Sequence, residues 1–200
     1  DGSTYVGVPT TVEAGLALTT TTTFSWTYVA PSDPSDFPCI GCQLIGGDLC
    51  LADYSSPESG APYTEMYSCA QGALQTETAS QGYSDATNLW NVTLLDSGRI
   101  QVKAEGGDCL IAVQEDDGYM VVLPCDFTLP IPLAADFEVI EASDGSVQLS
   151  PFDGICAAYY YEVGDPVPQS FGDDVQLLPC SLPSEYQTTE RNDWLIGVPE

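Results

Sequence analysis

Apolar and polar residues alternate in short stretches along this chain, and from Cys39 onward helical periodicity is hard to find. In Trp90-Asn91-Val92-Thr93-Leu94 every second residue is apolar, the period of a strand with one buried face. Trp90, Val92 and Leu94 are expected to face a core, with Asn91 and Thr93 turned to water. Phe24-Ser25-Trp26-Thr27-Tyr28 alternates in the same way. Short apolar runs at Met120–Leu123 and Val175–Leu178 are broken by Gly, Pro and Asp-Gly signals at roughly eight- to twelve-residue intervals, the punctuation of strands and tight turns. The pattern predicts an all-β chain that limits its exposed edges by repeating one unit.

That unit can be read directly. Cys42-Gln43-Leu44 is followed by Cys50, Cys69 and Trp90; Ile100-Gln101-Val102 by Cys109, Cys125 and Phe137; Val147-Gln148-Leu149 by Cys156, Cys180 and Trp194. A register kept through three copies means one folding unit used three times. The repeats span about 39–90, 91–140 and 141–200. Residues 1–38 lie outside them as an arm with a Pro-rich connector, Ala30-Pro31-Ser32-Asp33-Pro34-Ser35-Asp36-Phe37-Pro38. Its alternate aromatics suggest that it packs against the body or docks a partner.

Six of the eight cysteines fall in the repeat register, one pair per copy. Pair separations of 19, 16 and 24 residues are far from metal-knuckle spacing, and there is no His to complete a mixed zinc site. Cys50–Cys69, Cys109–Cys125 and Cys156–Cys180 are therefore read as disulfides, each closing its own repeat and worth about 3 kcal/mol in the loop-entropy model. Cys39-Ile40-Gly41-Cys42 has CxxC spacing, but a redox centre needs a βαβ setting and a helix N-terminus to lower the thiol pKa. A fourth structural bridge is expected here. Such usage belongs to a secreted, extracellular protein. The start at Asp1, without Met or a basic-then-apolar leader, fits a processed form.

Charge narrows the partners. Thirty Asp and Glu face only Arg99, Lys103 and Arg191, for a formal charge of −27. Nucleic acid and anionic membrane both require Lys and Arg clusters, so neither is expected to bind, and no apolar run is long enough to span a bilayer. Self-repulsion should ease as carboxylates protonate, so stability should hold or rise as pH falls from 7 towards 5.

Three Cys-paired repeats, each ending in an aromatic, resemble the ricin-B-type β-trefoil family over roughly residues 39–196. Cys50-Leu51 and Cys109-Leu110 match its first strand. Val175-Gln176-Leu177-Leu178-Pro179-Cys180 and Val121-Val122-Leu123-Pro124-Cys125 match its second, and Asn88-Leu89-Trp90 and Asn192-Asp193-Trp194 match its closing Gln-x-Trp with Asn for Gln. The resemblance implies a β-trefoil of three disulfide-closed repeats with an extended N-terminal arm. The family's usual activity is sugar binding through an Asp two residues after the first Cys, an aromatic platform and an Asn. Here the Asp position holds Ala52, Ile111 and Ala158. Asp53 stands one residue on, facing away unless a bulge re-aims it. Tyr159, Tyr160 and Tyr161 could stack on a pyranose ring, with no carboxylate in register beside them.

Enzymatic readings have little to stand on. The absence of His removes Ser-His and Cys-His nucleophile pairs. Leu94-Leu95-Asp96-Ser97-Gly98 resembles an aspartic protease signature, but it aligns with Ser143-Asp144-Gly145 in the next repeat, a turn before the same strand. The clusters Glu115-Asp116-Asp117 and Asp173-Asp174 fall between the two Cys of a repeat and read as solvated loops rather than a glycosidase pair; no EF-hand spacing is present. No cofactor or metal is expected. Asn91-Val92-Thr93 is the single Asn-x-Ser/Thr sequon, making Asn91 the candidate glycosylation site.

The expectation is a non-catalytic secreted binding module, an accessory or stabilising subunit of a larger secreted protein. Trefoil-type small subunits of secreted fungal oxidases such as heterodimeric laccases are the analogy that the resemblance supplies. Two alternatives stand beside it: a ricin-B-like lectin with an altered site around Asp53, Tyr159–Tyr161 or the loop 51–68, and a β-trefoil protease inhibitor presenting Pro166-Val167-Pro168.

Overall fold

Each Gln-centred phrase forms a strand, and each closing aromatic returns to that strand. Trp90 pairs with Cys42, Phe137 with Ile100 and Trp194 with Val147, in every copy the residue immediately before the Gln. The Phe137 and Trp194 bridges are made by two reciprocal backbone hydrogen bonds of 2.8 Å each. The computed structural model describes residues 4–6, 25–29, 34–47, 49–55, 62–70, 74, 86–115, 118–142, 145–160, 173–182 and 190–199.

The first repeat contains β3 (Cys39–Gly46), β4 (Leu49–Ser55) and β5 (Pro62–Ser68), preceded by β1 (Thr4–Val6) and β2 (Ser25–Tyr28). The second contains β6 (Trp90–Leu94), β7 (Ile100–Ala104), β8 (Cys109–Val113), β9 (Tyr119–Leu123), β10 (Leu133–Ala134) and β11 (Glu138–Glu141). The third contains β12 (Val147–Ser150), β13 (Ile155–Tyr160), β14 (Asp173–Asp174), β15 (Gln176–Pro179), β16 (Glu190–Arg191) and β17 (Leu195–Pro199). The regular structure of the described residues is thus β, apart from a 3-10 turn at Pro34–Asp36 and a helical position at Leu74. None of their helical segments is long and apolar enough to cross a membrane. Among the described residues all strand pairings are antiparallel, and β17 pairs with the first strand of the repeats, β3.

The arm is part of this sheet. β2 lies on the free edge of β17, matching Tyr28 with Gly197, Thr27 with Val198 and Trp26 with Pro199, and β1 continues the sheet outward. Val29 then enters the core, its amide donating to the Ile196 carbonyl at 2.9 Å. Residues 25–29 therefore cover an edge that would otherwise offer unpaired backbone groups.

One core runs through all three repeats. Leu44, Leu51, Trp90, Val92, Ile100, Val102, Leu110, Phe137, Leu149, Ala157, Trp194 and Ile196 are packed together and almost inaccessible to solvent. β6 has the alternation expected of it, with Trp90 and Val92 buried and Thr93 exposed. β8 departs from alternation, because Cys109–Val113 is buried at every position. Its outer face is covered by Ile131, Leu133 and Ala135, which pack on Cys109, Ile111, Val113 and Val121.

All eight cysteines are paired: Cys39–Cys42, Cys50–Cys69, Cys109–Cys125 and Cys156–Cys180. The three repeat bridges have Cα–Cα distances of 4.8–4.9 Å, within the ordinary disulfide range. The CxxC pair joins across a bulge in β3, where Gly41 is the extra residue and adopts φ +69°, a left-handed conformation that glycine takes without penalty.

Candidate functional site

Of the residues singled out for sugar contact, Tyr159 and Asp53 are placed by the fold, and both are held by the core. Tyr159 is 2% exposed and belongs to the main core. Its ring meets Trp194 edge-on, with centroids 4.9 Å apart at 69°, a favoured aromatic geometry. Its hydroxyl donates to the Asp193 backbone carbonyl at 3.1 Å and lies 3.3 Å from Asp193 Oδ1. A ring so enclosed has no face for a pyranose, so Tyr159 itself is not a stacking platform. Tyr160 continues β13, its backbone paired with Glu190. Tyr161 lies outside the described residues, as do Pro166-Val167-Pro168, Asp116 and Asp117.

Asp53 is fixed by the register of the β4–β5 hairpin. Seven consecutive pairs, Leu49 with Ser68 through Ser55 with Pro62, run without a shift, so no bulge re-aims the strand. Period-two geometry puts Asp53 on the same face as Leu51, which is in the main core, and opposite Ala52, which packs with Tyr67, Leu74 and Ala86. Its backbone exchanges two hydrogen bonds with Thr87, at 2.8 and 3.0 Å. Burial, and secondarily the negative charge of Asp108, push its carboxyl up from 3.8 to about 6. This is a carboxyl group at the rim of the core.

The closing phrase does structural work. In the first repeat Gln43 Nε2 and Asn88 Nδ2 both donate to the Cys69 carbonyl, at 2.8 and 3.0 Å, and Gln43 also donates to Asn88 Oδ1 at 3.1 Å. In the third, Gln148 Nε2 and Asn192 Nδ2 converge on the Cys180 carbonyl at 3.2 and 2.8 Å. The indoles are used equally: Trp90 Nε1 donates to the Leu51 carbonyl and Trp194 Nε1 to the Ala157 carbonyl, each at 2.9 Å. These polar side chains satisfy buried carbonyls that would otherwise be costly to desolvate. The second repeat has Ala135 where the others have Asn, and Phe137 where they have Trp, so neither bond can form.

Arg99 braces the end of that repeat through other acceptors. From the turn before β7 its Nε donates to Asp136 Oδ1 at 2.7 Å, and its Nη2 reaches the carbonyls of Asp136, Ser150 and Pro151 at 2.9, 3.2 and 3.0 Å. One guanidinium thus ties the end of the second repeat to the first strand of the third. The only signal for this in the sequence is the scarcity of cations: Arg99 is one of three.

The Asp-Ser-Gly phrase is a turn. Asp96, Ser97 and Gly98 are exposed, Gly98 N donates to the Leu95 carbonyl, and Leu95 N donates to the Arg99 carbonyl. Gly145 repeats the arrangement with Ala142 and Ser146, with φ +88° against +81° at Gly98. Among the described residues no three His, Cys, Asp or Glu side chains come together as a metal site.

Apolar groups are presented elsewhere. After Cys125 the chain runs Asp126-Phe127-Thr128-Leu129-Pro130-Ile131-Pro132. Phe127 is 38% and Leu129 41% exposed, while Pro124, Pro130 and Pro132 are also at the surface. The loop is held at one end by the Cys109–Cys125 bridge and at the other by Ile131 and Leu133, which pack on β8 and β9.

No protein-family model matches the chain, and neither does any curated protein. Solved structures share its fold. A chain in the crystal structure of the Haemophilus ducreyi cytolethal distending toxin is similar with a TM-score of 0.53 and 17% identity, over 86% of this chain and 88% of that one. A chain of the cytolethal distending toxin from Actinobacillus actinomycetemcomitans is similar with a TM-score of 0.51 and 16% identity, over 83% and 95%. At such identity the likeness is one of fold alone.

Proposed function

We propose that the three repeats form a β-trefoil of the ricin-B type and that the protein is a non-catalytic, secreted binding module serving as an accessory subunit of a larger secreted protein. The observation that carries this reading is the exchange of aromatic roles. Tyr159, one of the three tyrosines that could stack on a sugar, is consumed in the core, while Phe127 and Leu129 are displayed on a disulfide-anchored loop. Exposed apolar side chains on a rigid, Pro-rich loop lower the entropic cost of docking to another protein. Threefold return of the closing aromatic to the Gln-centred strand of its own repeat supports the trefoil, as does the pairing of the first and last strands of the repeats. Four closed disulfides are consistent with an extracellular setting. The likeness to cytolethal distending toxin chains brings no residue-level evidence of toxin activity to this chain.

A double variant, Phe127→Ser with Leu129→Ser, tests the reading. Both side chains are outside the core clusters, so thermal stability should hold within about 0.5 kcal/mol, as for ordinary surface changes. Association with the native partner should be lost. Undiminished association in this variant, or retention of the wild type on a glycan array, would remove the assignment.

A further inference from the structure

Ile40 is 66% exposed, the most exposed large apolar side chain among the described residues. It sits between the two cysteines of the CxxC bridge, and its register partner on β6 is Asn91. Residues directly opposite in an antiparallel pair share a face with Cβ atoms roughly 4.5–5.5 Å apart. The flanking pairs fix which face this is: Cys39, Val92, Cys42 and Trp90 are buried, so Ile40 and Asn91 look outward together. Thr93, two residues along the same face, is exposed. Asn91 accepts a hydrogen bond from Gly41 N at its Oδ1, at 3.3 Å. Among the described residues its Nδ2 has no hydrogen-bond partner.

We propose that Asn91 carries an N-linked glycan whose first sugar lies over Ile40. The sequon Asn91-Val92-Thr93 meets the acceptor rule, with Val rather than Pro between. In the transfer, Nδ2 of Asn91 bonds to the anomeric carbon of a lipid-pyrophosphate-linked oligosaccharide. The C1–O bond to the pyrophosphate breaks, the lipid pyrophosphate leaves with that electron pair, and Nδ2 releases one proton. Nothing is oxidised or reduced. The folded protein then holds the sugar beside an aliphatic side chain that would otherwise remain in water, and the apolar face of an N-acetylhexosamine suits that contact. The proposal goes beyond the accessory-subunit reading and shares with it only passage through an oxidising secretory route.

The test uses protein secreted by its native source. Glu-specific proteolysis and mass spectrometry should find the Asn91 peptide bearing a glycan, the intact mass exceeding the 21.3 kDa polypeptide until peptide-N-glycosidase converts Asn91 to Asp. Thr93→Ala should abolish the modification while leaving the fold intact. Both the enzyme-treated protein and Thr93→Ala should bind more strongly to a hydrophobic resin, and Ile40→Ser should cancel that increment. An unmodified Asn91 in protein with all four disulfides closed overturns the proposal and leaves the partner reading untouched. A glycan whose removal leaves resin binding unchanged overturns its placement over Ile40.

Discussion

A Cβ atom on residue 46 would lie 2.6 Å from Cε1 of Tyr159 and 2.8 Å from its Cδ1 and Cζ, so Gly46 and the Tyr159 ring occupy complementary space at the junction of the first and third repeats. The ring cannot swing aside, being packed on Trp194 and bonded through its hydroxyl to Asp193. Gly46→Ala is therefore an overpacking change, expected to cost about 1–3 kcal/mol. Urea unfolding should show the loss as a lower midpoint with an unchanged slope.

Asp53 predicts a pH dependence with a definite sign. Its folded-state pKa is raised to about 6 by burial and then by Asp108, so between 3.8 and 6 the native state binds more protons than the unfolded chain. Stability from this group therefore rises as pH falls through that window, and is lower above it. Asp53→Asn removes the desolvated charge. Thermal melting should show it more stable than wild type at pH 7.5 and no more stable at pH 4, with a flatter profile between.

The second repeat already holds Phe137 where its neighbours hold tryptophan, and it makes no indole bond. Trp194→Phe would convert the third repeat to that state, leaving the buried Ala157 carbonyl without its 2.9 Å donor. An unsatisfied buried acceptor costs about 1–3 kcal/mol, and chemical denaturation should register it. The reverse change, Phe137→Trp, is not expected to stabilise, because its site is closely packed.

Arg99 serves four acceptors with one planar group. Arg99→Ala should cost about 1.5–3 kcal/mol, the range of hydrogen bonds to a charged group. Arg99→Lys should recover only part of it, since an ammonium cannot reproduce the fork geometry. Thermal melts of the two variants at equal salt would separate geometry from charge.

These sites also mark what was legible in the sequence. Trp90, Val92 and Asn91 could be oriented from alternation because β6 has one wet face. The cysteine pairs followed from a register kept three times. β8 resisted the same reasoning: its outer side is covered by residues 131–135, so Cys109–Val113 carries no alternation to read. Tyr159 lies in a run of three tyrosines, where periodicity is silent, and the gap that receives it is made by Gly46, more than a hundred positions away. Asn88 and Asn192 spell a motif element in sequence, but that they cap the Cys69 and Cys180 carbonyls emerges only from geometry. The arm presented its aromatics at alternate positions, yet its partner strand, β17, sits at the far end of the chain.

We propose that this protein works by docking on a larger secreted protein. Size-exclusion chromatography of material from the native source, with mass spectrometry of each fraction, tests it most directly. Stoichiometric co-elution with one larger secreted protein is expected, abolished by the Phe127→Ser, Leu129→Ser variant. Elution as a lone monomer that is retained on a sugar column would contradict it.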